Sequence, residues 1–407
     1  MDVQEYPGPT DRAPAQQFEP IFELGGPAYR LMQRIGIIKG SGPSIGRRSI
    51  AFIAITWLPL LLLSIWQGSV IGPTPRSSFL LDFATYARFF LAVPLIFAAE
   101  SVVGPQIRQA GLRFVQSDIV RPEDYPAFAR AVARVRRRRD AALPEILFLI
   151  GALIGAWFLA IETWGGLDVE TWHSMATGQT VRLAPAGIWY YFVAIPLVQF
   201  FSFRWVWRLV IWTLFLWEMS RLPLNLSATH ADMAGGLGFL GVAHVSLSIF
   251  PFAVSSVFAA ELAFRIVFES ADSAALRSMA PLLITYLVFI ELAIFGPLLV
   301  VVPLLAGIRR RGLRAYGMLV QRHNQLFHDK WINGNRQAGE LPLGSPDMSS
   351  LIDLASSFDI VRRMSVFPAG RRQLIQVTVI ACLPAVPLVF LLLPFAEVLK
   401  LLVGIII

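Results

Sequence analysis

The chain has 407 residues, of which 56% are hydrophobic and 15% charged, and its mean hydropathy is +0.61. Soluble domains carry about 25% charged residues, so this composition argues against a water-soluble protein. The formal net charge is +8, and the single cysteine, Cys382, excludes an intramolecular disulfide. Neither a C-x-x-C pair nor an H-E-x-x-H motif is present, so the sequence predicts no metal site and no cofactor.

Seven apolar stretches are long enough to cross a bilayer, whose hydrocarbon core needs about 20 residues of helix. Helix is the only candidate, because an open strand would leave its backbone polar groups without partners in lipid. The sequence therefore predicts an all-α fold, a polytopic bundle of about seven transmembrane helices. The predicted spans are residues 49–71, 82–104, 143–162, 186–217, 237–265, 281–307 and 374–393.

The distribution of lysine and arginine predicts the orientation of these spans. With a cytoplasmic N-terminus, most of the 35 basic residues fall in cytoplasmic segments, and three fall in outer loops: Arg76, Arg182 and Arg277. Residues 1–48 contain no apolar core of a signal peptide. We therefore expect a multi-pass protein of a bacterial inner (plasma) membrane, with its N-terminus in the cytoplasm.

The spans and the polar segments between them divide the chain into regions. Pro394 breaks the last apolar run, so residues 395–407 are expected to lie at the interface or to form half of a hairpin. In chain order the regions are a cytoplasmic tail (1–48), spans one and two (49–104), a basic cytoplasmic segment (105–142), spans three to six with a glycine-rich cytoplasmic loop at 221–236 (143–307), a cytoplasmic helical segment (308–373), and span seven with an interfacial helix (374–407).

The cytoplasmic segments 122–140 and 309–330 have apolar side chains at helical spacing. In the first, Phe128 and Val135 lie on one face and arginine occupies the others, which predicts a basic amphipathic helix on the membrane or on another segment. The second is expected to continue the sixth span into the cytoplasm. Together they predict a small helical layer, which either packs beneath the membrane domain or, over 309–373, docks a partner.

The basic charge of the chain is better explained by lipid than by nucleic acid. The run from Arg136 to Arg139 lies just before the third span, where basic residues anchor a helix and contact anionic headgroups. No aromatic residues are interleaved with this run, as they are in nucleic-acid-binding folds. We therefore expect the bilayer, including its anionic lipids, as the partner of these charges, and no nucleic acid.

Ionisable side chains inside the spans are the candidate functional residues, because they are costly in lipid and usually face a protein interior or a water-filled cavity. Their depth, at 1.5 Å per residue, sorts them into two groups. The inner group is Glu100, Glu145, Arg204, Arg208 and Glu218, and the outer group is Arg88, Glu261, Arg265 and Glu291. The candidates for lining a conduit are Arg88, Glu100, Arg204, Arg208, Glu261 and Glu291.

Glu291 is the most informative of these residues. It lies roughly 15 Å from the outer end of span six, and its helical neighbours are apolar, with no basic residue within one turn. One interpretation is a structural ion pair with Arg88 or a hydrogen bond to another helix. The other is a carboxylate that handles a proton or an ion.

The glycine-rich loop holds His230 and Asp232, followed by Gly235, Gly236 and Gly238. Glycine allows tight turns and close approach of helices, and Asp232 is suited to capping the start of span five. Alternatively, His230 and Asp232 bind a metal or move a proton, with His244 as a third member. Neither interpretation is excluded by the spacing alone.

The segment H-x-D-x-A-G-G-L-G-F-L, from His230 to Leu240, resembles a widespread family of uncharacterised bacterial inner-membrane proteins. The similarity extends to the later stretches S-P-D-M-S-S-L-I-D-L-A-S-S-F-D-I-V-R-R-M and V-F-P-A-G-R-R. Proline commonly lies between the histidine and the aspartate in that family, whereas this chain has Ala231. The resemblance implies a polytopic bacterial membrane protein and brings no activity, cofactor or residue role with it.

Three functional hypotheses remain open at the level of sequence. The first is a channel or transporter for a small solute or ion, as a homo-oligomer with a polar conduit between helices. The alternative is a non-transporting scaffold or sensor that docks a cytoplasmic partner. The third is a membrane-embedded enzyme with His230 and Asp232 as acid–base candidates, although no residue is assigned a catalytic role.

Overall fold

The computed structural model describes residues 25–38, 44–165, 171–177, 180–269, 280–335 and 346–392. It is 81% helical, which confirms the predicted all-α fold. The helices are α1 (Pro27–Arg34), α2 (Ile45–Trp66), α3 (Phe83–Gln116), α4 (Tyr125–Arg139), α5 (Ala142–Gly165), α6 (Pro185–Ser220), α7 (Gly238–Phe268), α8 (Ala280–Ile332), α9 (Pro346–Arg363) and α10 (Arg371–Cys382, continued by Leu383–Ala385 and Val386–Leu392). Short 3₁₀ turns at Phe79–Leu81 and Pro122–Asp124 precede α3 and α4.

Within the described residues, six helical stretches are long and apolar enough to cross a membrane. They are α2, α3, the stretch Pro122–Ile161 that ends in α5, α6, α7 and α8. They coincide with the first six predicted spans, so the chain is a multi-pass membrane protein. The seventh predicted stretch is helical as α10 but is not among these six, and the predicted interfacial helix at 395–407 lies outside the described residues.

The helices expose apolar side chains outward and keep charged ones inside. On α5, Leu147, Ile150, Ile154 and Phe158 are all exposed, as expected of a surface that contacts lipid. Glu100, by contrast, is buried at 5% exposure. The bilayer is therefore the environment that the outer surface fits.

Two helices run beyond their predicted ends. α3 continues past residue 104 to Gln116, and α6 continues past residue 217 to Ser220. The extra turns of α3 are stabilised by the apolar side chains Ile107 and Phe114, which are buried in the main core. The predicted helical layer is thus partly built from extensions of the spans themselves.

The bundle has two distinct ends. One end, here called the hairpin end, carries the antiparallel strands β1 (Ser174–Thr177) and β2 (Thr180–Leu183), in which Ser174 pairs with Leu183. The opposite end, here called the basic end, carries α1, α4, α9 and the loop between α6 and α7. The loop between α6 and α7 is held there to the connection between α3 and α4 by a 2.7 Å hydrogen bond from the backbone amide of Asn225 to the Ile119 carbonyl.

Candidate functional site

Three charged side chains form a buried ion-pair network at the basic end of the spans. The Glu100 carboxylate on α3 accepts hydrogen bonds from Arg48 on α2 and from Arg208 on α6. The Arg208 Nη2 to Glu100 Oε1 distance is 2.6 Å, and the Glu100 side chain is 6% exposed. Charge-assisted contacts of this kind are strong, and breaking a buried one is costly. The network therefore holds three spans together.

A second ion pair lies beside this network. Arg204 Nε on α6 is 3.1 Å from Glu145 Oε1 on α5, and both side chains are buried. Arg204 is one turn from Arg208 on the same helix, so the two pairs are neighbours. The basic-end cluster is defined as Arg48, Glu100, Glu145, Arg204 and Arg208.

The sequence grouped four members of this cluster correctly and missed Arg48. A detectable signal was present, because Arg48, Phe52, Thr56 and Leu60 recur every four residues and all lie on the buried face of α2. Glu218, also placed in the inner group, is separate. Its carboxylate pairs with Arg134 of α4 at 2.6 Å.

Arg88 lies toward the hairpin end and does not pair with Glu291, so the ion-pair alternative for Glu291 is wrong, and the alternative of a hydrogen bond to another helix, here Thr378 of α10, is the one observed. Instead, the Arg88 guanidinium donates a hydrogen bond to the Tyr190 hydroxyl and lies over its ring. Both residues belong to π-helical segments, Ala87–Ala92 in α3 and Tyr190–Ala194 in α6. Such segments often occur at functional sites.

Aromatic residues cover this contact from the hairpin. The His173 ring is stacked parallel to Tyr190, and the Trp172 indole donates a 2.9 Å hydrogen bond to the Asp82 carboxylate. Burial lowers the pKa of His173 to about 4, against the opposing effect of Asp82, so this imidazole is neutral near neutral pH. His173 was not among the candidate residues predicted from the sequence, because a single histidine in a loop belongs to no recognisable motif.

The remaining outer residues form ion pairs at the protein surface. Glu261 is 3.0 Å from Arg265 on the same helix and 3.4 Å from Arg76, and about a third of its side chain is exposed. Arg76 also contacts Glu269 at 2.6 Å, and this hydrogen bond lowers the pKa of Glu269. Exposed pairs contribute little to stability. Glu261 is therefore poorly placed to line an interior conduit.

Glu291 has a different environment from every other carboxylate of the spans that the structure describes. Its Oε1 accepts a 2.7 Å hydrogen bond from the Thr378 hydroxyl of α10. Its Oε2 is buried and has no hydrogen-bond partner among the described residues. The Tyr286 hydroxyl, five residues before Glu291 on the same helix, lies 2.9 Å from the Ser255 hydroxyl of α7. No arginine or lysine of the described residues forms a salt bridge with Glu291.

The two helices that meet at Glu291 are both interrupted just beyond it. The 3₁₀ segment Gly296–Val301 begins five residues after Glu291, and Leu383–Ala385 begins five residues after Thr378. Each contains a proline as its second residue, which removes a backbone donor and leaves a carbonyl of the preceding turn without its helical partner. Interrupted membrane helices of this kind form ion sites in transporters.

Asp232 organises the glycine-rich loop. Its carboxylate accepts hydrogen bonds from the backbone amides of Ala234, Gly236 and Gly238 at 2.8, 3.0 and 2.8 Å. Burial acts to raise the pKa of Asp232, but these three amides and His230 outweigh it and lower the pKa. Because Gly238 is the first residue of α7, the carboxylate holds the start of that helix.

The other loop candidates surround this carboxylate. His230 Nδ1 lies 2.8 Å from the Asp232 carboxylate, and the His230 side chain is half exposed. Gly235 and Gly236 have φ angles of +68° and +99°, a conformation that favours glycine. The candidate residues are thus brought together around backbone amides, which fits the loop-shaping interpretation.

His244 does not join His230 and Asp232, as the metal interpretation required. It is completely buried, its Nε2 accepts a 3.1 Å hydrogen bond from the Trp212 indole, and its Nδ1 lies 2.7 Å from the Leu240 carbonyl. Both ring nitrogens therefore have partners within the core.

The segment predicted as a cytoplasmic helix at 309–330 is part of α8, which continues without a loop to Ile332. α9 packs along it, with Phe358 against Gly317 and Val361 against Gly312. An open groove with a volume of about 810 Å³ lies between the two helices. This helix pair is the largest part of the basic end outside the spans.

Comparison with known protein families, curated proteins and solved structures gives no match to this chain. The function is therefore inferred from the arrangement of the residues themselves. The family resemblance of the glycine-rich segment stays a prediction.

Proposed function

We propose that this membrane protein is a channel or transporter for a proton or a small monovalent cation, with Glu291 as the ion-binding carboxylate. The observation that carries the proposal is the environment of Glu291. It is a carboxylate within a membrane span, and among the described residues it has a threonine hydroxyl and no basic side chain as its partner.

The cost of charge in a membrane supports this role. An ionised carboxylate is expensive in the bilayer interior unless an opposite charge neutralises it. Glu100 and Glu145 are neutralised permanently by arginines. Glu291 is neutralised only when it takes up a proton or a cation. Binding of the transported ion therefore lowers the free energy of this carboxylate in the membrane.

The backbone around Glu291 supports the same role. Pro297 in α8 and Pro384 in α10 each remove one backbone donor within about two turns of Glu291 or Thr378 along the helix, and the carbonyl oxygen that loses this donor is available to an ion. Carbonyl oxygens, a hydroxyl and a carboxylate are the ligands that Na⁺ finds in the broken helices of transporters, whereas a proton needs only the carboxylate. An experiment must therefore distinguish a proton from Na⁺ as the ion that is transported.

In this proposal the basic end faces the cytoplasm of a bacterial cell, because positively charged segments are retained on that side. The exposed arginines of α4, such as Arg137 and Arg138, then lie on the side that carries anionic lipid. Ions would reach Glu291 along the interface of α7, α8 and α10.

The test is ion flux into proteoliposomes that contain the purified full chain, followed with a pH-sensitive dye and, separately, with a sodium-sensitive dye. We expect flux in one of these arms, and we expect Glu291→Gln to reduce it by about tenfold or more. Glu261→Gln is the matched control, because it makes the same chemical change at an exposed ion pair, and it should keep flux within about twofold of the wild type.

The two dyes identify which ion is transported. Flux in the pH arm without sodium identifies the proton, and flux that requires a sodium gradient identifies the cation. Flux no higher than that of empty liposomes in both arms, or a Glu291→Gln variant that behaves as the wild type does, would overturn the proposal.

A further inference from the structure

A short N-terminal segment, residues 25–38, lies against the basic-end cluster. The Ala28 amide donates a 2.6 Å hydrogen bond to the second oxygen of Glu145. Arg204 Nη2 lies 3.4 Å from the Gly25 carbonyl, and the Gly26 amide lies 3.4 Å from the Asp140 carboxylate. The first residues of this segment therefore contact charged groups on both α5 and α6.

The rest of the segment is held by a small apolar cluster of its own. Tyr29 and Met32 of α1, together with Ile38, are buried and pack against Phe201 of α6. This cluster has no buried residue in common with the two larger cores, although Phe201 also packs against both of them. Release of the segment would therefore expose the face of Phe201 that it covers and leave the buried residues of both cores in place.

Glycine is required where the segment contacts the cluster. Gly26 has a φ angle of +90°, and a Cβ atom there would overlap the Glu145 carboxylate. Gly36, at the other end of α1, has a similar φ angle of +78°, but a Cβ atom there would meet no atom within 4 Å. Both positions have a positive φ angle that favours glycine, and Gly26, whose ψ angle is 159°, is the one at which a Cβ atom would meet the cluster.

We propose that residues 25–38 act as an autoinhibitory latch. In the docked position the latch covers the Glu145–Arg204 ion pair and ties α5 to α6 at the basic end. Its release exposes the pair and removes the contacts that the segment makes with both helices, and its effect on activity rests on the transport proposed above. The docked structure is then the restrained state of the protein, and release of the latch activates it.

The test measures how accessible the docked face of the latch is to a membrane-impermeant maleimide. Cys382 is first replaced by serine, and a single cysteine is introduced by Met32→Cys on the docked face or by Leu31→Cys on the exposed face of α1. We expect Met32→Cys to react about tenfold more slowly than Leu31→Cys. Gly26→Ala should raise the reaction rate of Met32→Cys about fivefold or more, whereas Gly36→Ala should change it less than about twofold.

Equal reaction rates at the two introduced cysteines would show that the latch is not docked and would overturn the proposal. An unchanged rate in Gly26→Ala would overturn it as well. If Gly26→Ala does not fold, Tyr29→Ala decides the matter, with Leu31→Ala as its control and Met32→Cys as the reporter in both. Hydrogen exchange in α3 verifies that the bundle itself is unchanged.

The activating role is tested separately by flux. In proteoliposomes, Gly26→Ala should raise flux about threefold or more and Gly36→Ala should not. If labelling shows release but flux does not rise, autoinhibition is overturned. The labelling results require no transport, so they stand or fall independently of the function proposed for Glu291.

Discussion

The basic-end cluster and the Glu291 region both contain a glutamate carboxylate, but they surround it with opposite kinds of partner. At the basic end, Glu100 is placed between Arg48 and Arg208, and Glu145 is placed beside Arg204. In the span interior, Glu291 meets the hydroxyl of Thr378. The first arrangement fixes helices to each other, and the second leaves a carboxylate with no basic partner among the described residues.

The two carboxylates have different partners because different helices meet at Glu100 and at Glu291. Two neighbouring spans, α2 and α6, bring Arg48 and Arg208 to Glu100 on α3, so this buried carboxylate lies between opposite charges. At Glu291 the neighbouring helix α10 contributes the hydroxyl group of Thr378 and no basic side chain. The neighbouring helices, and not depth alone, therefore determine whether a carboxylate of the described spans has a basic partner.

The largest expected effect is from Glu100→Ala, which leaves Arg48 and Arg208 buried without their shared carboxylate. We expect the free energy of unfolding to fall by about 3–5 kcal/mol, measured by denaturant titration of the protein in detergent micelles. Glu123→Ala is the control, because it removes a carboxylate that is 71% exposed, and it should change stability by less than about 0.5 kcal/mol. Similar stabilities for the two variants would mean that the cluster does not hold the spans.

A smaller effect is expected from Glu145→Gln, which keeps an oxygen acceptor for the Ala28 amide but removes the charge opposite Arg204. The free energy of unfolding should fall by about 1–3 kcal/mol, in the same titration. A fall as large as that of Glu100→Ala would contradict the expectation that the Glu145–Arg204 pair contributes less to stability than the Glu100 network does. Because Glu145→Gln keeps an acceptor for the Ala28 amide, the latch should stay docked in this variant.

The smallest effect on stability is expected from Glu291→Gln, although it has the largest expected effect on flux. The amide keeps an acceptor for the Thr378 hydroxyl and removes an uncompensated charge, so stability should stay within about 1 kcal/mol of the wild type or rise slightly. The same Glu-to-Gln change then has opposite consequences at the two sites. A destabilisation larger than that of Glu145→Gln would indicate that Glu291 is a structural residue.

Hydropathy and charge determined the main architecture of this protein without reference to its structure. The six spans found by the structure, the continuation of the sixth span to Ile332, and the grouping of Glu100 with Arg208 follow from apolar run length and from the rise of a helix. These properties depend on residues close together in the chain. They can be read from sequence because helix geometry is regular.

The partners of the charged residues were decided by tertiary structure. Arg48 and Glu100 are 52 residues apart, Glu291 and Thr378 are 87 apart, and Arg88 and Tyr190 are 102 apart. Sequence placed Arg88 and Glu291 at similar levels but did not specify the order and rotation of the helices around each other, and these decide which side chains meet. The sequence therefore determined where charge enters the membrane, and the packing of the helices decided which charge is left uncompensated.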